Sequence, residues 1–288
     1  MEIKSKILNG IPYKEFNYGK NKEELIFFHA NAFPPKCYLP LFNELGSRFN
    51  IICPLFKPLW EEYGNPNKLL DWSPLKKDML QFVNSLPEEK YYFSGHSLGG
   101  NVALRIALEN SNKVKKSVLL DPIIFSKWMI FLWSFIQWTD FGYRHHPMIQ
   151  ACKNQRIIHN SKLELFGKYR NKKIFDNISD NDLLILIDGL VKATDDGKVK
   201  IKFPKDWEIQ IYRTGMIADK YIWSKIKELN KEILLLHAEK NYAPRISVIN
   251  KLVKKSNYII PEILYGYSHF FPFEKPKLVG KKMIDFFL

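Results

Sequence analysis

Gly95-His96-Ser97-Leu98-Gly99 sets a serine between two glycines, and Gly100 follows. This G-x-S-x-G spacing suits a nucleophile held on a sharp turn from strand to helix. Side chains at the two flanking glycine positions would collide with neighbouring backbone. The turn exposes the Ser97 Oγ, and the N–H groups at the start of the helix can stabilise developing negative charge. Five residues alone are a weak pattern, so the context carries the weight. YYFS at 91–94 reads as a strand running into the motif, and residues 98–109 are small and apolar, as a helix packed closely on a sheet requires.

The elements that would position such a serine follow in regular order. ELIFFH at 24–29, FNIICPL at 49–55, YYFS at 91–94, KSVLL at 116–120, EILLLH at 232–237 and YIIPEIL at 258–264 read as strands. Residues 35–48, 71–86, 98–109, 246–255 and 276–288 have helical spacing. Strands alternating with helices imply an α/β fold with a mainly parallel sheet covered on both faces. Sites on such sheets lie at the carboxyl ends of the strands. His29 to Asn31, Ser97, Asp121, Glu239 to Asn241 and His269 all fall at those ends. The alternation breaks from about residue 122 to 225, a stretch rich in aromatics and helical in pattern. We expect a core of residues 1–121 and 226–288, with residues 122–225 inserted as a mostly helical cap.

With these residues in place, the chain resembles the α/β-hydrolase superfamily in its cap-bearing branch. GHSLGG at 95–100 carries one part of the resemblance. The other is Gly266-Tyr267-Ser268-His269 followed by Phe-Phe-Pro-Phe-Glu274-Lys-Pro276, similar to the family's G-x-x-H segment and the E-x-P before its last helix. The resemblance implies that His269 is the general base for Ser97, on the loop after the final strand. His29 and His96 occupy positions that are structural in the family. His145 and His146 fall in the expected cap, and His159 and His237 have no matching partners.

The orienting acid departs from the commonest family pattern. Where a G-E-K-D segment is expected, the chain reads Ala238-Glu239-Lys240-Asn241. An amide at Asn241 cannot stabilise an imidazolium as a carboxylate does. Asp121, directly after KSVLL, matches a family variant with the acid one strand earlier, and is the expected acid. Glu239 is the alternative. The oxyanion hole is expected from the Leu98 N–H and the N–H of Asn31 in the loop after ELIFFH, or of Phe33 if that loop is shifted by two residues. The Asn31 side chain could also donate. Haloalkane dehalogenases have a similar H-G-N start and displaced acid, but their nucleophile is an aspartate where this chain has Ser97, so that activity is discounted.

Composition narrows the rest. The formal net charge is +14, yet the lysines are spread along the chain and no basic run interleaves with aromatics, so nucleic acid is not an expected partner. Cys37, Cys53 and Cys152 are scattered, which suggests neither a disulfide framework nor a zinc site and fits a reducing cytoplasm. No secretory signal is visible in the first residues. PIIFSKWMIFLWSFIQW at 122–138 is interrupted by Lys127 and is too short to span a bilayer. Its aromatics, Trp128, Phe131, Trp133, Phe135 and Trp138, are expected either to roof an apolar pocket or to form the cap's own core. A lid touching lipid is a third reading, and membrane contact is not predicted. The expectation is a cofactor-free serine hydrolase of a small apolar ester. C–C hydrolase, thioesterase, amidase or acyltransferase chemistry on the same residues remains open, as does a silent binding protein on the same fold.

Overall fold

Short, buried apolar strands sit at the centre of the computed structural model, which describes residues 1–109, 111–240 and 246–288. The sheet strands are β1 (Glu2–Leu8), β2 (Ile11–Asn17), β3 (Glu23–Phe28), β4 (Phe49–Pro54), β5 (Tyr91–His96) and β6 (Val114–Leu120). Three short strands, β7 (Ile158–His159), β8 (Val191–Ala193) and β9 (Val199–Ile201), precede the last two sheet strands, β10 (Ile233–Lys240) and β11 (Ile259–Ser268). The eight-stranded order is β1-β2-β4-β3-β5-β6-β10-β11. From β4 to β11 every pairing is parallel, while β1 and β2 join antiparallel at one edge. Continuous buried runs such as Leu25 to Phe28 and Ile233 to Ala238 are what a sheet covered on both faces demands.

The β1–β2 hairpin is absent from the sequence reading, although its signal is present. Asn9-Gly10 takes left-handed φ values of 53° and 79° between the two strands. Asn-Gly suits a two-residue turn whose twist matches the flanking strands. The strands themselves are charged and only partly buried, so their periodicity is faint.

Helices α1 (Leu39–Leu45), α2 (Ser73–Asn84) and α3 (Leu98–Glu109) come before residue 122. Residues 122–225 then leave the sheet between β6 and β10. They form α4 (Lys127–Ile136), α5 (Asp140–His145), α6 (Pro147–Lys153), α7 (Lys162–Arg170), α8 (Asp180–Leu190), α9 (Lys205–Ala218) and α10 (Lys220–Lys225). A three-stranded antiparallel sheet, ordered β7-β9-β8, also lies here, where no strands are expected from sequence. Two or three residues per strand are too few to show an alternating pattern. Helices α11 (Ile246–Val253), α12 (Phe271–Glu274) and α13 (Pro276–Phe287) complete the chain.

This excursion shares its core with the sheet. Leu165, Phe175, Leu186 and Ile187 pack in one buried cluster with Phe27, Tyr38 and Phe42. Ile130, Trp207 and Ile211 join a second cluster with Phe28, Trp72 and Phe93. Polar hooks fix the contact. Trp72 Nε1 donates to Ile211 O at 2.9 Å, and Gln210 Nε2 donates to Leu69 O at 2.7 Å. Gly189 allows α8 to lie against the Cys37 backbone, which a Cβ would meet at 2.5 Å.

Candidate active site

Register decides which strand ends meet. Phe28 pairs with Gly95, His96 with Leu120, and Leu120 with Leu236. The residues that follow, Ser97, Asp121 and His237, are therefore side by side at the carboxyl edge. The Ser97 N–H donates to Leu120 O at 3.0 Å, and the Asp121 N–H donates to Leu236 O at 2.8 Å.

Backbone strain gathers at this edge. Five non-glycine residues among those described have left-handed φ. Asn9 and Asn21 are in turns, where asparagine tolerates that conformation. Ala32 (62°), Ser97 (57°) and Asp121 (46°) instead follow β3, β5 and β6. Strained backbone persists only where its surroundings enforce it. Around Ser97 the enforcement is visible. A Cβ on Gly95 would strike Gly99, and one on Gly99 would strike the Phe28 carbonyl. A Cβ on Gly100 would sit 3.0 Å from Gly95 O and from the Pro122 side chain. The glycines of the motif thus let α3 press onto β3 and β5.

His269 lies on the turn after β11, and its Nδ1 is 2.7 Å from Asp121 Oδ2. Because a carboxylate can only accept, Nδ1 carries the proton and Nε2 is left as the basic nitrogen. Glu274 holds the turn. Its carboxylate accepts from the Ser268 N–H at 3.2 Å and the Ser268 hydroxyl at 2.5 Å, and Ser268 Oγ accepts from the Phe270 N–H at 3.1 Å.

Asp121 is fully buried and also accepts from His237 Nδ1 at 2.8 Å and the Ala238 N–H at 3.3 Å. Burial alone would raise its pKa, but the hydrogen bonds from His237 and His269 outweigh it and bring the group to about 2. The carboxylate is therefore charged at neutral pH. This corrects the expectation that His237 has no partner. His237 ends β10 beside β6, and only the strand order reveals that its neighbour is Asp121.

Glu239 is exposed, and its Oε2 accepts from the Gly266 N–H at 2.9 Å, tying β10 to β11. Asn241 lies outside the described residues.

A second chain of hydrogen bonds runs behind the site. The Ala30 N–H donates to Tyr38 Oη at 3.1 Å, Tyr38 Oη lies 2.8 Å from His96 Nδ1, and His96 Nε2 lies 2.9 Å from His269 O. The His269 carbonyl can only accept, so Nε2 is protonated and Nδ1 accepts from Tyr38. Burial lowers the His96 pKa to about 3, which keeps the ring neutral and this polarity fixed. Tyr38 is an unforeseen part of the site, since its aromatic body reads as core in the sequence.

The loop after β3 is equally constrained. His29 is buried, its pKa lowered by burial to about 4; Nδ1 donates to Ala30 O at 2.8 Å and Nε2 accepts from the Phe56 N–H at 3.2 Å. The Phe33 N–H donates to Ala30 O at 3.3 Å and is engaged within the turn. The Asn31 side chain donates to Glu208 O at 3.4 Å, so it ties this loop to α9. Asn31 and Leu98 nevertheless lie on segments in direct contact, since a Cβ on Gly99 would also come 2.7 Å from His29 O.

The aromatics in and just after α4 do not all form a core of their own. Only Trp133 is buried, while Trp128, Phe131, Phe135 and Trp138 are exposed. Aromatic surroundings at the site come from elsewhere: Phe33 and Phe175 pack edge-on against Phe270, next to His269.

The family model for the alpha/beta hydrolase fold matches residues 68–180, the stretch that contains Ser97 and Asp121. The chain has the α/β-hydrolase fold. It is similar over most of its length to the uncharacterized hydrolase YugF of Bacillus subtilis, with 22% identity over 284 residues, 95% of this chain and 93% of the relative. Two solved structures share the fold at 14% identity, each covering 99% of both chains. They are E-2-(acetamidomethylene)succinate hydrolase, with a TM-score of 0.76, and the thioesterase domain from the curacin biosynthetic pathway, with 0.75. Within this fold, the elbow, the imidazole–carboxylate pair and the β3 loop converge at one edge of the sheet.

Proposed function

We propose that the protein is a serine hydrolase that cleaves a carboxylic ester or related acyl bond through an acyl-enzyme on Ser97. The observation that carries this reading is the 2.7 Å contact between His269 Nδ1 and a charged, buried Asp121, one residue past the strand end beside Ser97. His269 Nε2 takes the Ser97 proton as Oγ attacks the carbonyl, then returns it to the leaving group. Asp121 fixes the imidazole tautomer and stabilises the imidazolium formed during attack. The N–H groups of Asn31 and Leu98 receive the oxyanion. Water, deprotonated by the same imidazole, then releases the acid and restores Ser97.

Residues 122–225 act in this reading as a cap over the carboxyl edge. Phe270 against His269, with Phe33 and Phe175 packed on it, favours an apolar acyl or alcohol group.

A fluorophosphonate probe tests the reading directly. Wild type is expected to be labelled at Ser97, and Ser97→Ala is not. An unlabelled wild type that is correctly folded would remove Ser97 as nucleophile and favour a silent binding protein instead.

A further inference from the structure

Helix α4 divides its large side chains between two faces. Ile130 and Trp133 point inward, and Trp133 Nε1 donates to Arg213 O at 2.8 Å. The opposite face carries Trp128, Phe131, Leu132 and Phe135, exposed by 65%, 54%, 44% and 64%, and Trp138, 47% exposed, follows in the turn after the helix. Their spacing places them on one stripe. Ring centroids are 5.8 Å apart between Trp128 and Phe131, and 5.0 Å apart between Phe131 and Phe135. Contiguous exposed aromatics of this extent mark an interaction surface.

Charge identifies the kind of partner. Residues 122–139 contain Lys127 and no aspartate or glutamate. At the foot of the stripe, Lys127 and Lys220 line a groove with Phe131, Ser134, Trp223 and Ser224. The Arg213 guanidinium lies 4.8 Å from the Trp138 ring centroid. The whole chain carries +14. A second copy docked stripe to stripe would bring cations of like sign together, and residues 122–139 offer no carboxylate to answer them.

We propose that this face docks on an anionic lipid surface, with the aromatic stripe in the headgroup region and Lys127 and Lys220 beside lipid phosphates. An aromatic stripe flanked by lysines is the chemistry of an interfacial helix. The helix lies along the surface and does not cross it: its ten residues give about 15 Å, and among the described residues no helix is long and apolar enough to span a bilayer.

Vesicle flotation tests the proposal without using turnover. The probes are vesicles of phosphatidylcholine alone and vesicles with one third phosphatidylglycerol. Wild type should float with the anionic vesicles at low salt, lose most of that binding at high salt, and show a blue shift of tryptophan emission. The triple variant Trp128→Ser, Phe131→Ser and Phe135→Ser should bind at least about tenfold more weakly. Lys127→Glu with Lys220→Glu should abolish the preference for anionic vesicles. Circular dichroism and fluorophosphonate labelling in solution report whether each variant is folded. The proposal is overturned if wild type fails to float, or if the folded triple variant floats equally well. A wild-type dimer in sedimentation velocity that the triple variant dissolves, without vesicle binding, would assign the face to a second copy instead.

Discussion

At the scale of single residues, Asp121 is the buried carboxylate on which the proposed mechanism turns. It joins His269 to His237, and both imidazoles hold its pKa at about 2, against a usual value of 3.8. Asp121→Asn is expected to lower kcat about 10³- to 10⁴-fold with little change in KM, because an amide neither selects the tautomer nor stabilises the imidazolium. Glu239→Gln should hydrolyse the same chromogenic ester at nearly the wild-type rate, and a large loss there would move the acid to Glu239. A depressed pKa also makes Asp121 a source of stability above about pH 4. That contribution, on the order of 2 kcal/mol, is lost as pH falls from about 3.8 to 2. Urea unfolding of wild type and Asp121→Asn should therefore differ most near neutrality and converge in acid. His237→Phe removes one of the donors to Asp121. It should raise the carboxyl pKa and move the acid loss of stability upward in pH.

At the scale of elements, two junctions hold the site together. One is the β5–α3 elbow, where the motif glycines admit the Phe28 carbonyl and the Gly95 backbone. Gly99→Ala forces backbone apart and should lower stability by about 3 kcal/mol or more, read as a fall in Tm with loss of probe labelling. The other junction is where the inserted segment rejoins the core. Asp219 is buried there, accepting from the Asn101 side chain and the Phe125 N–H, both at 2.6 Å. Burial raises its pKa to about 7, against the lowering effects of Phe125, Asn101 and Arg105. A carboxyl that binds its proton more tightly when folded costs stability as pH rises from about 4 to 7, by up to about 4 kcal/mol. Asp219→Asn should flatten this slope in denaturation measured across that range.

At the scale of the whole molecule, the inserted segment and the sheet share two buried clusters. We expect them to unfold together, since neither part keeps a separate core. Five of the seven tryptophans, Trp128, Trp133, Trp138, Trp207 and Trp223, lie in the inserted segment. Tryptophan fluorescence and far-UV circular dichroism should therefore give coincident thermal transitions. Separate midpoints would show that the segment unfolds on its own.

Local chemistry made much of this protein readable from its sequence. A turn that excludes side chains must spell itself in glycine, so the elbow around Ser97 is visible at 95–100. Buried parallel strands must be apolar runs, so β3, β5, β6 and β10 are visible too. What stayed hidden depends on register and direction. Asn9-Gly10 marks a hairpin that its polar strands obscure. His237 gains its meaning only when β10 lies beside β6 with Leu236 level with Leu120. The α4 aromatics read as core or roof because hydrophobicity states that a side chain prefers burial, not which way its helix turns. Sequence determined the fold and where its strand ends carry polar groups. Tertiary structure decided which carboxylate meets His269 and which aromatic face is left in water, because both depend on residues far apart in the chain coming to one place.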